Sequence, residues 1–180
     1  MLNDLLPFIE EKISQTLNRI GNKLHRDIKH RLRDYDKIAT GGLIESIAYN
    51  VINKDNIWIL EVGTNKKYLQ YIEEGRKPGS FPNYQAIRNW IVKKREKHAT
   101  FMPLDINQKS KKKANNETLE KLIDKQAWMV AASIKKKGTE PFPVLQFIYD
   151  QNKDFIEKEV NKLVQTITNY QKFLKNPPTN

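Results

Sequence analysis

The chain has 180 residues, 38% of them hydrophobic, with 32 Lys and Arg against 21 Asp and Glu for a formal net charge of +11. That length suffices for one domain with a buried core, and the complete lack of cysteine excludes a disulfide framework, cysteine-ligated zinc, iron–sulfur centres and a thiol nucleophile. No run of about 18 apolar residues suggests a membrane span, and the first thirteen residues lack the basic start and cleavage site of a secretory signal.

The first predicted element is one long helix. Leu5, Ile9, Ile13, Leu17, Ile20, Leu24, Ile28 and Leu32 step by four or three and hold one apolar stripe. Asn3 or Asp4 is the expected cap, with Pro7 in the first turn. Gly21 costs up to ~1 kcal/mol in mid-helix, yet the stripe continues past it. Between Arg19 and Arg33 the other faces carry six Lys and Arg and one acid, as a solvated face or a surface meeting something acidic would. Thr40-Gly41-Gly42 ends this helix, and Gly42–Ser46 reads as a short helical turn. Ile47, Tyr49 and Val51 alternate, Asn53–Asn56 is a polar turn, and Trp58, Leu60 and Val62 alternate again. This pattern predicts an antiparallel hairpin ending at Gly63-Thr64, with a helix needed against one face for stability.

A helical turn over Tyr68–Glu74 closes at Gly75, and Arg76–Pro82, with two Pro and a Gly, is irregular. A helix restarts near Pro82 or Asn83, with Ile87, Trp90 and Ile91 inward and Lys93-Lys94-Arg95 trailing. Over 98–116 the pattern fails, and the run holding Lys109, Lys111, Lys112 and Lys113 predicts an exposed, mobile basic loop. Order returns at Asn116, with Leu119, Leu122, Ile123, Gln126, Ala127, Val130 and Ile134 on one face. Lys135–Lys137 occupy the last turn, and Gly138 is the stop. From Lys93 to Lys137 there are thirteen Lys and Arg against five acids, so most of the excess charge lies in a quarter of the chain. Thr139-Glu140-Pro141-Phe142-Pro143 is a rigid bend. The last helix runs from about Val144 past Leu163, with Leu145, Ile148, Phe155, Val160, Leu163, Ile167 and Tyr170 in register, and 176–180 is a frayed tail. These elements predict an α+β fold in which a small antiparallel sheet packs against long N- and C-terminal helices, in one domain over 1–175.

The residues offer no convergent set for catalysis. His25 and His30 are five apart, off the i, i+4 spacing that puts two ligands on one helix face, and His98 is remote from both. HExxH, EF-hand, GxSxG, Walker and GxGxxG motifs are absent. Glu73 and Glu74, adjacent on a helix, point about 100° apart and make no acid/base couple; Glu73 is expected to be structural. No enzyme activity, metal or cofactor is expected. The basic first helix, the lysine loop and Tyr68, Tyr71 and Trp90 would give nucleic acid an electrostatic and stacking footprint, though no recognised reading motif accompanies them.

Several pieces follow one another in a telling order. They are Gly42-Leu43-Ile44-Glu45-Ser46-Ile47, then Glu61-Val62-Gly63-Thr64, then Tyr68-Leu69-Gln70-Tyr71-Ile72-Glu73-Glu74-Gly75-Arg76-Lys77-Pro78-Gly79. The helix Ala86–Ile91 with Trp90 comes next, and Ala131–Thr139 with Pro141-Phe142-Pro143 closes the series. Over roughly 40–160 this order resembles the tail-completion (neck, head–tail joining) proteins of tailed bacteriophages, and the first helix is similar to that family's N-terminal helix. Glu74 departs from the family's bulky apolar residue, and Val144-Leu145-Gln146 departs from its proline-alanine ending.

The resemblance implies a structural virion protein of the neck, made in the host cytoplasm. It would form a homo-oligomeric ring between the portal-side connector of the filled head and the tail tube or tail terminator, with a channel for DNA and no membrane contact. It implies assembly or scaffold roles for Gly63, Thr64, Tyr68, Tyr71, Glu73, Gly75, Pro78, Trp90, Gly138, Thr139, Pro141, Phe142 and Pro143. Gly63 and Gly75 are expected to permit backbone turns, Gly138–Pro141 to redirect the chain, and Glu73 to accept N–H groups or pair across a subunit boundary. Lys109, Lys111, Lys112 and Lys113 are expected to order on an acidic partner or DNA. The alternative is a basic nucleic-acid-binding protein acting in phage replication or packaging.

Overall fold

The computed structural model describes residues 2–34, 42–97 and 116–175. The described elements are α1 (Leu2–Asp34), α2 (Gly42–Ser46), β1 (Ala48–Lys54), β2 (Ile57–Gly63), α3 (Leu69–Glu73), α4 (Tyr84–Lys97), α5 (Asn116–Lys137) and α6 (Leu145–Lys175). This is the expected α+β class. The predicted loop before Asn116, with Lys109, Lys111, Lys112 and Lys113, and the predicted tail at 176–180 lie outside the described residues. The backbone groups into two compact units, each discontinuous in sequence. One is Met1–Leu32, Ser46–Asn65 and Val144–Asn180; the other is Arg33–Glu45 and Lys66–Pro143.

In the first unit α1 and α6 run antiparallel. Phe8 stacks on Tyr170 with ring centroids 3.8 Å apart. Arg19 bonds Glu159 at 2.5 Å, Lys23 lies 5.5 Å over the Phe155 ring, Asn152 hydrogen-bonds Asp27, and Arg31 lies 4.2 Å over Phe147. Each step up α1 meets an equal step down α6, over about 35 Å of helix. Part of the basic face expected to meet solvent or a partner is therefore engaged within the chain. The helix also begins earlier than expected. Asn3 and Asp4 lie inside α1 rather than capping it, and Pro7 falls in the second turn, where its nitrogen has no proton for the Asn3 carbonyl.

The hairpin sits on α1 where the helix has no side chain. A Cβ on Gly21 would lie 2.5 Å from Tyr49 Cδ2 and 2.9 Å from Leu60 Cδ1, so glycine is what lets the sheet approach. His25 Nε2 adds a 2.9 Å hydrogen bond with the Ile47 carbonyl, just before β1. The strands pair from Ala48↔Gly63 to Lys54↔Ile57, with Tyr49↔Val62 and Val51↔Leu60 on one face. The turn is shorter than the predicted four residues. Asn53 and Lys54 are in the strand, and only Asp55 and Asn56 turn, at φ 52 and 64. Positive φ at both central residues matches the right-handed twist of a two-residue hairpin, and Asp and Asn tolerate it best after Gly.

In the second unit α4 and α5 pack through Ile91, Ile123 and Ala127, with Tyr84, Ile87, Trp90, Val92 and Val130 around them. The Asn83 side chain accepts the Ala86 N–H at 3.0 Å, which fixes the start of α4. Arg88 clips the two helices, bonding Asp124 at 2.7 Å and also Glu120, while the Tyr84 hydroxyl donates to the Asp124 carbonyl at 3.1 Å.

Candidate assembly surfaces

Two of the motif pieces, 56 residues or more apart in sequence at their contact points, meet in the second unit. Arg76 N–H donates to the Thr139 carbonyl at 3.0 Å and Thr139 N–H to the Arg76 carbonyl at 2.9 Å. Phe142 N–H reaches the Ile72 carbonyl at 2.7 Å, and Gly79 N–H the Lys135 carbonyl at 2.7 Å. These four backbone bonds form a clamp between segments 72–79 and 135–142. Its hinges are Gly75 and Gly138, at φ 71 and 74. A Cβ on Gly75 would overlap the Thr139 carbonyl oxygen, and one on Gly138 would overlap that of Arg76. Gly138 also ends α5, its N–H bonding the Ile134 carbonyl at 2.8 Å, and Pro78 closes over it.

The other predicted residues are dispersed. Gly63 is an ordinary strand residue with open space where a Cβ would be, so the conformational need expected there is absent. Thr64 lies 2.6 Å from Ser46, hydroxyl to hydroxyl, which joins the two ends of the hairpin motif. Trp90 is half-buried in the α4/α5 core. Glu73 is half-buried, whereas Tyr68 and Tyr71 are exposed, as are Pro141 and Pro143, with Phe142 between. The Arg76 guanidinium lies 5.2 Å over the Tyr71 ring and donates to Ser80 Oγ at 2.9 Å and the Phe81 carbonyl at 3.1 Å.

Two features escape a reading by hydrophobic spacing. The inward position of α6 expected to be Val160 is held by Glu159, which is 4% exposed, while Val160 is 41% exposed. Lys162 and Arg19, both hydrogen-bonded to Glu159, hold its carboxyl below the ordinary glutamate value of 4.5. Trp128 and Met129, 61% and 58% exposed, form an apolar pair on the outer face of α5. Side chains of this size left in solvent are the kind that a partner's surface buries. Among the described residues no group of three or more His, Cys, Asp or Glu assembles, and no helix is long and apolar enough to cross a membrane.

No curated protein and no solved structure matches the chain. Residues 2–75 match the model of a family described as "Bacteriophage HK97-gp10, putative tail-component". The matched stretch holds α1, α2, the hairpin and α3 as far as Gly75. The likeness to the HK97-gp10-like family of bacteriophage tail components therefore covers segment 2–75, in which Gly21 seats the hairpin on the first helix.

Proposed function

We propose that the chain is a neck subunit that assembles as a ring and joins the DNA-filled head, through its connector, to the top of the tail. The observation that carries this reading is the family match over 2–75, continued downstream by the clamp that pairs Gly75-Arg76 with Gly138-Thr139. The mechanism is binding alone, with no reaction catalysed: one surface meets the connector and another the tail tube or terminator. Ring symmetry multiplies modest contacts by raising the effective concentration of each next site. The exposed Trp128-Met129 pair and Val164 on α6 supply apolar area for such contacts. In-vitro complementation tests the reading. Purified protein added to filled heads and finished tails that lack it is expected to restore plaque-forming particles; no gain in infectivity, with both components intact, would refute it.

A further inference from the structure

The clamp brings together two basic runs that the sequence keeps apart. Arg76 and Lys77 arrive on one segment, and Lys135, Lys136 and Lys137 on the other. All four lysines are exposed, and none forms an ion pair among the described residues. Glu73, Glu74 and Glu140 lie on the same segments, and Glu74 accepts from Gln70 at 3.1 Å, so five cations face three carboxylates and the local balance stays positive. The C-terminal dipole of α5 explains why three lysines are tolerated in its last turn. It does not call for Lys77, whose segment the Arg76–Thr139 and Gly79–Lys135 backbone bonds hold against the end of that helix.

We infer that this clamp is a binding site for the phosphate backbone of duplex DNA. Arg76 is committed to Ser80, Phe81 and Tyr71, so the free charges are all ammonium groups on flexible stems. Such point charges suit contacts with a regular row of phosphates that need no fixed geometry. Duplex DNA presents about one negative charge per 1.7 Å of its axis, a denser and more regular row than the mixed charges of a folded protein surface, and so suits a cluster of ammonium groups with no fixed geometry. The rigid part of the site is its backbone, four hydrogen bonds hinged on two left-handed glycines, and the mobile part is its charge. The inference rests on the virion reading only for the presence of DNA, and duplex binding by the purified chain tests it separately from head–tail joining.

The test is the salt dependence of binding to a short mixed-sequence duplex. Full-length protein is compared with a clamp variant, Lys77→Gln, Lys135→Gln, Lys136→Gln and Lys137→Gln together. A charge-matched control carries Lys153→Gln, Lys158→Gln, Lys172→Gln and Lys175→Gln on the exposed surface of α6. Each phosphate contact contributes about 0.9 to the slope of log K against log salt. The clamp variant is expected to lose roughly three to four from that slope, at about 0.9 per lysine, and the control less than one. Equal losses in the two variants, or no binding by the wild-type protein at low salt, would overturn the inference and leave the assembly reading standing. A clamp variant that binds DNA like wild type but fails to complement heads and tails would also overturn it, and would assign the cluster to an acidic protein.

Discussion

Gly75 and Gly138 are fixed by each other's segments, since each φ is left-handed and each missing Cβ faces a carbonyl of the opposite strand of the clamp. Gly75→Ala or Gly138→Ala is expected to lose about 1–2 kcal/mol from the backbone conformation alone, with the displaced carbonyl adding to it. Gly63→Ala is expected to stay within about 0.5 kcal/mol of wild type. Urea denaturation of the three variants checks both figures, and an unchanged midpoint for Gly75→Ala would contradict the clamp. From the sequence all of these glycines read as element boundaries. The sign of φ depends on the chain that returns 63 residues after Gly75, at Gly138, and no local pattern carries that information.

The helices and the hairpin were legible in the sequence because amphipathic period and turn chemistry are local signals. What the stripe concealed was its polar members. Asn152 and Glu159 occupy inward positions of α6 at the proper three- and four-residue steps, but a search for apolar residues slides to Val160 instead. Gly21 was legible only as a weak point of α1; its role became visible with Tyr49 and Leu60 in place. Gly21→Val is expected to destabilise by about 2 kcal/mol or more, because over-packing outweighs the gain in helix propensity. Thermal melting checks this, and a more stable variant would mean that the hairpin does not depend on that approach.

Three carboxylates tie elements together and predict how the fold responds to acid. Lys162 and Arg19 lower Glu159, and Arg88, followed by the Tyr84 hydroxyl, lowers Asp124. Burial pushes Asp27 up, but bonds from Lys23 and Asn152 and the nearby cations outweigh it and leave it below 3.8. A carboxylate lowered in the folded state contributes stability that is complete above its unfolded value and is lost as pH falls through its folded one. Melting temperature is therefore expected to hold from neutral pH to about 5 and to fall steadily below 4. Glu159→Gln should flatten that fall; a melting curve as steep as that of wild type would remove Glu159 from the explanation.

At the scale of the whole molecule, the net charge of +11 and the modest apolar fraction fit a subunit that completes its burial, and balances its charge, against other components. The family match covers 2–75, whereas the motif order that suggests a neck protein continues to the bend at Pro141-Phe142-Pro143. The clamp joins the last matched residue, Gly75, to that later motif through Thr139, which is why we extend the assembly reading beyond the matched segment. Surfaces for partners were the least legible part of the sequence. Trp128 and Met129 stand next to the buried Ala127 in the same helix, and only the packing of α4 on α5 decides which of the three meets solvent.

Electron microscopy of lysates from a phage with this gene disrupted probes the joining role itself. DNA-filled heads beside separate, finished tails are the predicted result. Complete virions, or empty heads without packaged DNA, would contradict it.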